Sequence, residues 1–191
     1  MKKILLLTGV ITFVSFVATA QSTTFGIKAG VNVADIKVSE GTDFNSKAGF
    51  HAGGLAHIHV SKQFAVQPEI VYSMEGGKNG NVIRRHNYIN VPVLAQYMFN
   101  NGFRLQTGPQ LGLLVAAKNK VGDVEVDVKD DMRTAELAWI VGASYVIPEN
   151  GFGFDVRYNF GLTNVLQVSS PEARNMVFQA GVFYLFHGRH K

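Results

Sequence analysis

The chain has 191 residues, 47% hydrophobic and 17% charged, which suits one domain with enough apolar material for a full core. It contains no cysteine, so disulfide frameworks, thiolate zinc sites, cysteine nucleophiles and a lipid-anchored amino-terminal cysteine are all excluded. The formal charge of +4 falls to about +2 once Lys2 and Lys3 are discounted, too little for a nucleic-acid footprint.

Those two lysines open an export signal. An apolar run from Ile4 to Val17 follows them, and Ala18-Thr19-Ala20 puts small residues at the two positions a signal peptidase inspects. The reading is a signal peptide over residues 1–20, cut between Ala20 and Gln21, and a β-barrel domain over residues 21–191. The apolar run is short for a spanning helix and carries Thr8, Thr12 and Ser15. Past residue 21 no run reaches the roughly 18 apolar residues that a spanning helix needs.

From Phe25 the dominant period is two, the period of a strand. Phe25, Ile27, Ala29, Val31 and Val33 alternate with Gly26, Lys28, Gly30 and Asn32. A second run sets Phe50, Ala52, Ala56, Ile58 and Val60 against His51, Gly53, Leu55, His57 and His59. After residues 61–63, Phe64, Val66, Ile70 and Tyr72 alternate with Ala65, Gln67, Glu69 and Ser73, a hairpin with a tight turn. A fourth run, Ile89 to Phe99, turns at residues 100–102 into a fifth, Phe103 to Leu113. The sixth, about 134–147, presents Trp139, Val141, Ala143 and Tyr145 and turns at 148–151 into the seventh, where Phe152, Phe154, Val156, Tyr158 and Phe160 oppose Gly153, Asp155, Arg157, Asn159 and Gly161. The eighth carries Met176 to Phe186.

Three tight turns therefore alternate with four longer links, near 36–46, 76–85, 118–133 and 166–174. Short turns at one end and long loops at the other are how outer-membrane barrels are built. Lipid offers no hydrogen-bond partner to an open sheet edge, so a spanning sheet must close. The prediction is an all-β, eight-stranded antiparallel up-and-down transmembrane β-barrel, with both termini at the periplasmic, short-turn end. A soluble barrel would have the same period with the faces inverted. Aromatic placement favours the membrane form: Phe25, Phe64, Tyr97, Phe99, Tyr145, Phe152, Tyr184 and Phe186 lie on the apolar face near the short turns, as an interfacial girdle.

The segments Gly49-Phe50-His51-Ala52-Gly53, Gln67-Pro68-Glu69-Ile70-Val71-Tyr72-Ser73, Asn90-Val91-Pro92-Val93-Leu94, Gly108-Pro109-Gln110-Leu111-Gly112 and 155–164 (DVRYNFGLTN) carry a family resemblance. In this order they resemble the outer-membrane β-barrel domain family, usually labelled "porin family protein", over essentially the whole mature chain. The resemblance implies an eight-stranded barrel of the OmpA/OmpX type with no established common activity. It also implies a terminal aromatic, here Phe186, read by the barrel-assembly machinery, although His187 to Lys191 follow it. The family pattern would place Glu and Lys where Asn90 and Gln96 stand, and an acidic residue at His57.

Parity assigns an interior inventory. Lys28, Lys47, Arg104 and Arg157 are basic and Glu69, Glu75, Glu136 and Asp155 acidic, with Gln67, Gln96, Gln106, Gln110, Asn159 and Gln179 among them. An eight-stranded barrel is just wide enough for its own side chains, so Lys28, His57, Glu69, Gln96, Arg104, Asp155 and Arg157 are expected to form a polar plug. His51, His57 and His59 share the inward parity, but strand neighbours two apart lie about 7 Å from one another, so hydrogen bonding is expected and no metal or cofactor is assigned. Ser73 and Ser144 point inward without a partnered histidine, so no catalytic residue is assigned. Gly76-Gly77-Lys78 and Gly151-Phe152-Gly153 lack the strand-to-helix setting of a phosphate loop.

In the third link Val124 to Lys129 keeps strand alternation, so loop 118–133 could offer an edge to an extracellular protein partner. The expectation is a monomeric, non-enzymatic outer-membrane barrel in contact with membrane lipid, without a nucleic-acid partner, acting structurally or through its loops. The alternatives are a narrow porin-like channel for small solutes and a lipid-modifying outer-membrane enzyme.

Overall fold

Each alternating run forms a strand, and several strands, β1, β2, β5 and β6 among them, extend beyond the run toward the long-loop end. A computed structural model describes residues 22–38, 44–79, 82–121, 124–147, 149–164 and 173–186; the expected export signal and its cut site lie outside them. The strands are β1 (Thr23–Val38), β2 (Phe44–His59), β3 (Phe64–Glu75), β4 (Gly77–Asn79), β5 (Val82–Met98), β6 (Phe103–Val121), β7 (Val124–Asp127), β8 (Ala135–Val146), β9 (Phe152–Gly161) and β10 (Ala173–Leu185). β4 continues β3 beyond Gly76, which bends with φ 135°, and β7 folds back on β6.

The remaining eight pair antiparallel in chain order, and β10 pairs with β1 from Gly26↔Leu185 to Val38↔Ala173. The sheet is thus a closed eight-stranded barrel. Ser22 and Phe186 sit at the short-turn end, where the Phe186 N–H donates to the Phe25 carbonyl.

The turns are set by local chemistry. At two of them Gly102 and Gly151 take φ 88° and 74°, a region an L side chain disfavours. Asn101 and Asn150 accept the backbone N–H two residues ahead, from Phe103 and Phe152. At the third, the Ser61 hydroxyl accepts from Gln63 and Phe64.

At the other end the structure corrects the expected links. Residues 77–79 and 82–85 are strand, β2 begins at Phe44, and β6 runs to Val121 before β7 returns beside it, so parts of three expected links extend the barrel wall. Val128 then donates to the Ala117 carbonyl, and a 3-10 turn at Lys129–Asp131 brings Met132 inward to 3% exposure.

Faces are inverted relative to a soluble barrel. In β9 Phe152, Phe154, Val156, Tyr158 and Phe160 are exposed while Asp155, Arg157 and Asn159 are buried. Outward polar groups are tied down: the Trp139 indole N–H donates to Thr107 Oγ1 at 3.0 Å, and Thr107 donates to the Ile140 carbonyl at 2.8 Å. A lipid-facing donor left alone would cost several kcal/mol, so this chain suits an apolar solvent.

Two substitutions test this packing by reversible unfolding in detergent or lipid. Val31→Arg, outward and central on β1, should cost about 2–4 kcal/mol, against about 0–1 kcal/mol for an arginine at the rim. Gly153→Val should cost about 1–3 kcal/mol, because a Cβ there would stand 2.3 Å from Cζ of the Phe183 ring that covers Gly153.

Candidate functional site

The bore is filled in layers. At the short-turn end Leu55, Val146, Phe183 and Leu185 form an apolar cluster. Beside it Arg104 Nη1 lies 3.4 Å from His57 Nδ1, and Gln96 donates to Gln106 at 2.9 Å.

The next layer is ionic. Lys28 Nζ stands 2.9 Å from Asp155 Oδ2 and 3.5 Å from Glu69 Oε2. Arg157 grips Glu69 with two hydrogen bonds, Nη1 to Oε2 at 2.8 Å and Nη2 to Oε1 at 2.7 Å, and its Nε lies 2.6 Å from Asp155 Oδ2. Gln67 adds a donor to Glu69 Oε1 at 2.7 Å. Two cations from β1 and β9 meet two anions from β3 and β9, so the layer is neutral. Bidentate arginine geometry gives it direction as well as strength.

Above it Asn32 is a hub. Its Nδ2 donates to Ser73 Oγ at 2.8 Å, and its Oδ1 lies 2.7 Å from His51 Nδ1. Ser73 donates to Glu75 at 2.8 Å, as does Asn90 at 3.1 Å. Asn175 Nδ2 bridges Glu136 Oε2 at 2.8 Å and the Tyr88 hydroxyl at 3.3 Å. Tyr88, Leu114, Ala117, Met132 and Ala173 close the long-loop mouth, with Val128 against them.

Lys28, His57, Glu69, Gln96, Arg104, Asp155 and Arg157 are therefore all buried in the bore. Phe25, Phe64, Tyr97, Phe99, Tyr145, Phe152, Tyr184 and Phe186 lie on the outer face toward the short-turn end, with ring contacts linking Phe64, Tyr97 and Phe99 in one group and Phe152, Tyr184 and Phe186 in another. Two inward assignments need correction. His59 sits half-exposed at the rim, its ring edge-on to His57 and its Nδ1 3.3 Å from Ser22 Oγ, because β2 ends there. Lys47 is half-buried near the other mouth, its amine on the Arg84 carbonyl at 3.3 Å.

Among the described residues no three His, Cys, Asp or Glu side chains gather as a metal-ligating group. The Tyr88, Asn175 and Met132 assembly had no sequence signal beyond parity, and Met132 had none at all, since it reaches the bore from a loop.

The ionic layer predicts a non-additive mutant series. Glu69→Gln leaves Arg157 without its bidentate partner and should cost about 3–5 kcal/mol in unfolding experiments, whereas joint replacement of Glu69 and Arg157 by methionine should cost far less.

The geometry has solved counterparts. Neisserial surface protein A (NspA) superposes with TM-score 0.64 at 19% identity, covering 86% of this chain and 99% of its own. Ail, the attachment invasion locus protein of Yersinia pestis, superposes with TM-score 0.57 at 16% identity, covering 86% and 99%. At such identity the likeness establishes the fold. No curated protein sequence matches the chain. The profile of the family described as "Outer membrane protein beta-barrel domain" matches residues 19–167. A closed, inside-out barrel of eight strands and a profile spanning most of the sequence agree: the chain belongs to the outer membrane protein beta-barrel domain family.

Proposed function

We propose that this barrel is non-catalytic and acts at its long-loop rim, with its bore serving as a structural plug. The observation that carries the reading is the bore itself, ion-paired in the middle and closed by apolar clusters at both ends. A solute path would have to break buried bidentate ion pairs in a bore just wide enough for its own side chains. In this reading residues 1–20 export the chain, the barrel-assembly machinery inserts it, and it stands in lipid as a monomer. The aromatic band marks the periplasmic interface, and the long-loop end faces outward.

The rim offers a surface. Val124, Glu125, Val126 and Asp127 are all exposed, and among the described residues β7 pairs with β6 alone, so its far edge is open to an extended segment of a protein partner. The ribbon is held by charge: Lys118 Nζ meets Glu125 Oε1 at 2.7 Å and Arg85 lies 3.8 Å from Oε2. The Lys118 hydrogen bond, then its charge, keep the Glu125 carboxyl below the usual carboxylate range.

Planar-bilayer recording of the purified barrel should show no discrete conductance, and steps resolved in the wild type would overturn the plug. Cells carrying the barrel should lose capture of an extracellular ligand when residues 120–130 are deleted, while heat-modifiable gel migration of the folded barrel persists. Unchanged capture would remove the ribbon from the proposal.

A further inference from the structure

The ionic layer shows how this bore carries carboxylates, with a cationic side chain for each. One level higher the rule fails. Glu75 and Glu136 are 3% and 4% exposed, and their hydrogen-bond partners are neutral: Ser73 and Asn90 for the first, Asn175 and Tyr88 for the second. Among the described residues neither carboxylate meets a lysine, arginine or histidine at ion-pair distance. The amine of Lys47, toward the mouth, is turned to the Arg84 carbonyl.

Asn90 links the two acids: its Nδ2 donates to Glu75 Oε1 at 3.1 Å, and its Oδ1 lies on the side of Glu136. Asn90 Oδ1 is buried and has no donor, and Glu75 Oε2 is in the same condition. Asn90 Oδ1 and Glu136 Oε1 stand 2.9 and 3.4 Å from the point that a Cβ on Gly112 would occupy, so the amide oxygen faces the carboxylate across that glycine. The same point lies 2.9 Å from Glu136 Cγ, so a side chain at residue 112 would press on both groups. Carboxylate and amide oxygens that face one another repel unless positive charge lies between them, and burial away from water makes the repulsion severe.

We propose that Glu75, Asn90 and Glu136 form an interior site for one divalent cation of the calcium type, which supplies the two positive charges this layer lacks. The donors are carboxylate and amide oxygens with the Tyr88 hydroxyl beside them, a hard-oxygen set that selects calcium or magnesium over transition metals. Irregular spacing and mixed oxygen types suit calcium, which tolerates variable geometry, better than magnesium. The ion would lock β3, β5 and β8 together beneath the apolar cap and would enter during folding.

The test uses the full barrel refolded in detergent with terbium(III), a luminescent calcium substitute that nearby aromatic rings sensitise. Wild type should bind one terbium ion per chain with emission excited through tyrosine, calcium should displace it, and calcium should raise the melting temperature. Glu75→Gln and Glu136→Gln should each weaken binding by about tenfold or more. Deletion of residues 120–130, which carry the acidic ribbon, should leave binding intact. Wild type without terbium emission or calcium-dependent melting would overturn the site, whether or not the variants fold. Binding unchanged in both glutamine variants would overturn it equally. Variants that melt higher than wild type without any cation response would assign the missing positive charge to protons instead.

Discussion

Four charged side chains on three strands, Lys28, Glu69, Asp155 and Arg157, are the point from which the rest of this structure follows. Lipid outside the wall is as apolar as the leucine, valine and phenylalanine side chains that face it, so outward packing does little to select one strand register over another. Selection falls to the interior, where the bidentate Arg157–Glu69 pair joins β9 to β3 and Lys28 draws both toward β1. A register slip of one residue would put these charges in lipid and their neighbours in the bore, at a cost of several kcal/mol for each charge. The ion pairs thus act mainly to exclude alternative registers, the role for which buried charges are best suited.

The same constraint explains why so much was legible in the sequence. An inside-out barrel writes its topology as a period of two, and the charged parity of β9, with Asp155, Arg157 and Asn159 against Phe154, Val156 and Tyr158, already identifies the inward face. Strand count, closure and seven interior positions could be read because each follows from period and parity. Three features could not. The strands overrun the apolar band, since the polar residues at their upper ends, such as Arg84 and Lys118, resemble loop residues until a neighbouring strand is present to pair with them. Met132 enters the bore from a 3-10 turn, where period carries no information. His59 keeps the parity of His57 but lies where the wall stops.

Proline placement is a further point on which local preference and fold diverge. Pro68, Pro92 and Pro109 lie on the adjacent strands β3, β5 and β6, where a residue without an N–H is expected to be excluded. The ladder yields around them: pairing is interrupted between Leu55↔Glu69 and Ile58↔Val66, between Pro68↔Val93 and Val71↔Asn90, and between Pro92↔Gln110 and Ala95↔Thr107. In water an edge strand would absorb such residues, but a closed barrel has no edge and lipid supplies no donors. The wall compensates with side chains, as where the Thr107 hydroxyl caps the Ile140 carbonyl beside Pro109.

A barrel built this way divides its labour along its axis. The middle is committed to register, because every charge there is balanced by another from a different strand. The short-turn end is committed to the membrane interface by rings packed edge to face. The long-loop end carries the residues that neither task explains: the exposed strand β7 with its open edge, and beneath the cap two carboxylates with only neutral partners among the described residues. Structural need accounts for balanced charge and paired backbone. Carboxylates without a cationic partner and an unpaired strand edge impose costs that the barrel wall alone does not repay.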